Sequence, residues 1–142
     1  MAHTDWMATV ERLIETCKDG EDGFREAAHK ATRKDLKQYF ETQSRNRAQF
    51  GNDLGRELSR LSGREARGSL AAAMHRGWLD LLAAFGAGDE SVLNAVRQGE
   101  RSAIQSYEEA LRQPLPPQIE RLARTQLESI ERGLNKLTDR AA

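Results

Sequence analysis

Asp19-Gly20-Glu21-Asp22-Gly23 has the composition of a turn, and on its own it would split the first thirty residues into two short helices. The apolar register around it says otherwise. Val10, Cys17, Phe24 and Ala31 recur at intervals of seven, and Leu13, Gly20 and Ala27 form a companion row. A turn would reset that phase, yet it passes through both glycines unchanged. The stretch therefore predicts one helix over about residues 5–31, roughly 40 Å long at 1.5 Å per residue. Gly20 then falls on the inward seam, where a missing side chain allows close approach at a propensity cost of about 1 kcal/mol.

The rest of the chain reads as helix as well. All three prolines, Pro114, Pro116 and Pro117, lie in one short stretch, so nothing elsewhere removes a backbone donor. Thr32-Arg33-Lys34-Asp35 has the form of a capping box and opens a second helix, 33–62, which Ser62-Gly63 closes. Its inward row is Leu36, Phe40, Gln43, Arg47, Phe50, Leu54, Leu58 and Leu61. A shorter helix, 69–85, starts at Ser69 with Leu70, Met74, Trp78, Leu81 and Phe85 on one side. The fourth, 90–112, carries Leu93, Val96, Glu100, Ala103, Tyr107 and Ala110. The last, 117–138, begins with Pro117 in its first turn and carries Ile119, Ala123, Gln126, Ile130, Leu134 and Leu137. Strand signals are poor, with few β-branched residues and no sustained alternation. The expectation is an all-α bundle of four long helices and a shorter one, a single domain over residues 1–142.

Composition narrows the function. The 142 residues include 22 Lys plus Arg and 22 Asp plus Glu, a formal net charge of zero. A nucleic-acid or anionic-membrane binder normally carries a positive surplus, so neither partner is expected. No apolar run approaches the roughly 20 residues of a membrane span. Met1–Trp6 lacks the apolar core of a secretory signal, and the expected location is the cytoplasm. The only cysteine, Cys17, excludes an internal disulfide and a multi-cysteine metal cage. It shares the inward face with Val10 and Phe24, where a small buried hydrophobe needs no further role.

Polar residues on the inward rows carry more information. Gln43 and Arg47 interrupt the second helix, Glu100 the fourth and Gln126 the fifth, with Tyr107 two turns beyond Glu100. A buried arginine or glutamate is tolerated only when paired and hydrogen-bonded. The expectation is a central Arg47–Glu100 pair, with Gln43, Tyr107 or Gln126 completing the donors and acceptors. A register shifted by one residue would instead bring these side chains to solvent at a seam edge. A buried network is first a device that fixes helix register, and catalysis comes second. His75-Arg76-Gly77-Trp78 is the densest cluster of functional residue types, with Trp78 expected to seal the short helix onto the bundle. No phosphate loop, nucleophile elbow or zinc-protease motif is present. No catalytic, cofactor-binding or metal-ligating residue is therefore assigned, and no cofactor is predicted.

Several stretches carry a family resemblance. They are Asp19-Gly20, Gly23-Phe24-Arg25-Glu26-Ala27-Ala28, Arg47-Ala48-Gln49-Phe50 with Leu54, and Gly68-Ser69. Further on come His75-Arg76-Gly77-Trp78-Leu79-Asp80-Leu81, Gly99-Glu100, Tyr107-Glu108-Glu109-Ala110-Leu111 and Leu115-Pro116-Pro117. In this order the chain resembles a bacterial family of ferritin-like four-helix-bundle proteins known only as a domain of unknown function. The resemblance implies a ferritin-like four-helix bundle with the shorter helix in the connection between the two helix pairs. Di-iron members of the wider group place a Glu on each of two helices and a Glu-x-x-His pair on each of the others. On that pattern one ligand position would fall at Cys17 and another pair at Arg47 and Phe50. Glu100 takes one remaining position, while the last helix offers Gln126 and no histidine. The resemblance thus implies a bundle without a di-iron site, in which Arg47 supplies the metal's positive charge and meets Glu100.

The biochemical activity is unknown on this reading. The leading expectation is a structural or interaction protein rather than an enzyme, with self-association open and its protein partner unknown. One alternative is a metal-binding oxidase or storage protein of the ferritin-like group. The other is a small-ligand carrier using space near His75, Trp78 and Tyr107.

Overall fold

The computed structural model describes residues 2–63 and 77–141, which contain five α-helices and no strand. They are α1 (Ala2–Lys30), α2 (Lys34–Ser62), α3 (Gly77–Phe85), α4 (Asp89–Leu111) and α5 (Pro117–Ala141). α1 is continuous through Gly20 and Gly23. α2 ends at Gly63, whose φ of 72° lets its N–H turn back to the Ser59 carbonyl. The start of α2 departs from the expected capping box. Its cap residue is Arg33, which makes no side-chain cap bond. Thr32 instead gives its N–H and its hydroxyl to Asp89, which also accepts the Arg33 N–H. That carboxylate ties the α1–α2 link to the first residue of α4, a competing partner no local motif reveals.

Cross-helix bonds set the helix directions. Thr32 meets Asp89 and Cys17 meets Tyr107, so α1 and α4 run antiparallel. Tyr107 meets Gln126 and Arg97 meets the Leu137 carbonyl, so α4 and α5 do too. α2 and α5 are antiparallel through Tyr39 to Gly133 and Gln126 to Phe50. The four long helices thus form a closed ring in the order α1, α2, α5, α4, with every neighbour reversed. α2 and α4 point the same way, so their connection, which includes α3, must return along the molecule. Among the described residues no helix is long and apolar enough to cross a membrane.

The interior divides along the helix axes. Phe24, Leu36, Phe40, Trp78, Leu82, Val96 and Leu137 are among the buried apolar residues of one cluster, at the Thr32–Asp89 end. Val10, Leu13, Leu54, Leu58, Tyr107, Ile119 and Ile130 are among those of the other. On α1, α2, α4 and α5 the boundary falls near residues 20, 47, 100 and 133.

α3 is fastened to the ring by its tryptophan. The Trp78 indole lies 4.7 Å from the Phe24 ring, centre to centre. Its faces press on Gly23 of α1 and Gly99 of α4, where an added Cβ would lie 2.4 and 2.5 Å from Trp78 atoms. This grip sets the rotation of α3 and turns Leu82 inward. The expected row of Trp78, Leu81 and Phe85 is corrected accordingly: Leu81 is half-buried and Phe85 is 43% exposed. A nine-residue helix that is apolar nearly all round has no periodic pattern to fix its phase. Leu61, in the last turn of α2, is exposed as well. Of the expected helix 69–85, residues 69–76 lie outside the described residues, and with them Ser69, Leu70, Met74, His75 and Arg76.

Gly23→Ala and Gly99→Ala should each destabilise the fold by about 1–3 kcal/mol or more through overpacking against Trp78. Gly20→Ala should be neutral, or stabilising by up to about 1 kcal/mol, because its Cβ would meet Arg47 at an ordinary 3.4 Å. Urea melts of the three variants check the contrast, and an unchanged midpoint for Gly23→Ala would remove the clamp.

Candidate functional site

At mid-height the apolar rows give way to charge. Arg47 of α2 and Glu100 of α4 are 3% and 0% exposed. Two parallel bonds join them, Nη1 to Oε1 at 2.7 Å and Nη2 to Oε2 at 2.8 Å. This fork–fork geometry is the strongest arrangement open to a guanidinium and a carboxylate. Burial alone would lower the arginine pKa, but the charge and hydrogen bonds of Glu100 raise it overall. The guanidinium carbon lies 5.1 Å from the centre of the Phe24 ring and 5.9 Å from that of Phe50, within cation–π range. Arg47 Nε is buried with no hydrogen-bond partner in the protein. Two glycines face the pair, both at ordinary van der Waals distance. An added Cβ would meet Arg47 at Gly20, and at Gly133 it would lie 3.7 Å from Glu100 Oε2.

A second unit lies beside the pair. Tyr107 donates its hydroxyl proton to Gln126 Oε1 at 2.7 Å, and Gln126 Nε2 donates to the Phe50 carbonyl at 3.2 Å. Cys17 Sγ lies 3.2 Å from the Tyr107 oxygen, so the thiol donates to it. The chain Cys17–Tyr107–Gln126–Phe50 crosses from α1 through α4 and α5 to α2. Burial pushes the Cys17 thiol up to about 11, against smaller lowering effects of the Tyr107 bond and the Arg47 charge. Burial likewise raises Tyr107 well above 10.0, with Cys17 adding to the shift. Both groups hold their protons at neutral pH. Neither is a ready nucleophile or base.

The polar residues singled out in the sequence therefore separate into two hydrogen-bonded units. Gln43 belongs to neither. It is half-buried, and the inward place on that turn of α2 goes to Ser44, whose hydroxyl donates to the Glu21 carbonyl at 2.8 Å. Positions 43 and 44 flank the stripe through 36, 40 and 47 on opposite sides, so helical periodicity alone does not decide which of them turns inward. Cys17 is more than a small hydrophobe, because its thiol completes the Tyr107 oxygen. Arg97 escaped the sequence reading, since it stands next to Val96 and beside the apolar row. It is buried, donates to Asn94 Oδ1 at 2.6 Å, and reaches the Leu137 carbonyl at 3.4 Å and Glu90 at 4.0 Å. Trp78 and Tyr107 fall in different apolar clusters, and His75 lies outside the described residues with Arg76. A ligand space shared by His75, Trp78 and Tyr107 is therefore not formed by the described residues.

Around this layer, residues 5–113 match the family described as Domain of unknown function (DUF2383). The chain belongs to the DUF2383 family. No curated protein matches it. The DUF2383 match spans α1 to α4 and so includes Cys17, both halves of the Arg47–Glu100 pair, Tyr107 and the Trp78 clamp. α5, with Gln126 and Gly133, lies beyond it. Among the described residues no group of three or more His, Cys, Asp or Glu side chains is placed to hold a metal ion. Among the described residues the one buried carboxylate, Glu100, is already engaged on both oxygens by Arg47.

Asp19 marks the edge of the site. Its Oδ1 accepts the Trp78 N–H at 3.2 Å, and it lies at one end of a cleft of about 550 Å³ between α1 and the end of α4. Arg12, Glu15, Ser106, Glu109 and Arg112 also line this cleft. Partial burial raises the Asp19 pKa from 3.8 to about 6, aided by the nearby charges of Asp22 and Asp80 and opposed by the Trp78 bond.

Arg47→Met should destabilise the protein by about 3–5 kcal/mol, because Glu100 is left buried and unpaired. Adding Glu100→Leu should recover most of that loss, and a urea double-mutant cycle measures the coupling. Near-zero effects of both single changes would mean that the two side chains are solvated. The Cys17 thiol should react with a thiol probe only as fast as the protein opens, so its labelling rate in urea should follow unfolding. For Asp19 the folded state binds its proton more tightly than the unfolded chain does. That contribution is full below about pH 4 and is lost as the pH rises through about 6. Asp19→Asn, which keeps an acceptor for Trp78, should abolish this part of the pH dependence and match or exceed wild-type stability at pH 7.

Proposed function

We propose that the protein is a ferritin-like helical bundle of bacterial type whose centre holds an ion pair in place of a di-iron site. It serves as a cytoplasmic structural or interaction protein rather than an enzyme. The observation that carries this reading is the Arg47–Glu100 fork. It occupies the middle of the helix ring, where a carboxylate-bridged metal centre would be built from facing helices. The alternating helix directions and the long return between α2 and α4 accord with a ferritin-like order, in which one crossover links two antiparallel pairs.

The residues at the centre do not suit iron or manganese. Hard divalent ions want several carboxylate or imidazole ligands, and this layer supplies one engaged carboxylate, a protonated thiol, a phenol and a carboxamide. The guanidinium already brings the positive charge that balances Glu100, so a cation would meet repulsion. With Cys17 and Tyr107 both protonated at neutral pH, the layer also lacks a group poised for acid–base or nucleophilic work. Its charges are satisfied by each other.

Protein purified without chelator should contain substoichiometric iron and manganese, and titration with Fe(II) or Mn(II) in air should produce no oxidase turnover. Elemental analysis and oxygen uptake provide the measurements. Stoichiometric metal in the core with oxygen consumption would overturn the proposal and favour a metal-dependent oxidase or storage protein.

A further inference from the structure

We draw no further inference here: the strongest candidate, the cleft between α1 and the end of α4 with Asp19 at its inner end, carries nothing, because carboxylates and arginines mix around its rim and no buried, unpartnered side chain among the described residues is aimed into it to say what covers it.

Discussion

The Arg47–Glu100 fork joins α2 to α4 across the middle of the molecule, and the packing around it follows from what such a pair requires. A guanidinium and a carboxylate out of water lose several kcal/mol of hydration apiece, and only near-ideal mutual geometry offsets that loss. Both bonds here are under 2.9 Å and parallel, which leaves little freedom to slide. α2 and α4 point the same way on opposite sides of the ring, so the fork fixes their relative height. Neither can shift by a turn, about 5.4 Å, without breaking both bonds. The apolar clusters above and below have no such directional demand, because leucine and alanine rows tolerate slippage that ion pairs forbid.

Volume is the second demand. Arginine and glutamate are long side chains entering a space otherwise filled by leucine-sized residues, and they pass Gly20 of α1 and Gly133 of α5 at ordinary van der Waals distance. The aromatic rings of Phe24 and Phe50 then cover the guanidinium faces, where no hydrogen bond is available. Phe24 performs two tasks, since its ring also meets Trp78. Gly23, the residue before Phe24 on α1, makes room for that tryptophan. Of the two glycines that imitate a turn in the sequence, Gly23 is the one whose missing side chain the packing requires. One faces a buried charge and the other a buried ring.

This explains what was legible in the sequence and what was not. The continuity of α1 could be read because a seven-residue apolar period extends over several turns and a reset would be visible. Arg47 and Glu100 could be picked out because a charge on an otherwise apolar row is a strong anomaly. Gln43 was misplaced because adjacent positions on α2, 43 and 44, both lie near the inward stripe and both are polar, so periodicity cannot choose between them. Arg97 was invisible for the opposite reason: its flank position is where a charged residue ordinarily reaches water. The rotation of α3 and the capture of Thr32 by Asp89 depend on contacts 21 to 59 residues apart, which no local pattern encodes.

Replacing a buried ion pair by apolar residues of equal volume often costs nothing, and sometimes stabilises a protein by a few kcal/mol. Stability alone is thus a weak reason for Arg47 and Glu100, and the adjoining chain of Cys17, Tyr107, Gln126 and the Phe50 carbonyl sharpens the point. That chain ties one residue from each long helix into a single hydrogen-bonded line, while the fork adds a direct link from α2 to α4. Every long helix therefore carries a directional constraint, the fork at the boundary of the two apolar clusters and the chain within the second of them. An all-apolar middle would supply comparable burial but would admit neighbouring registers of similar energy. Directional bonds of this kind separate one arrangement in energy from its slipped alternatives, which apolar burial alone does not.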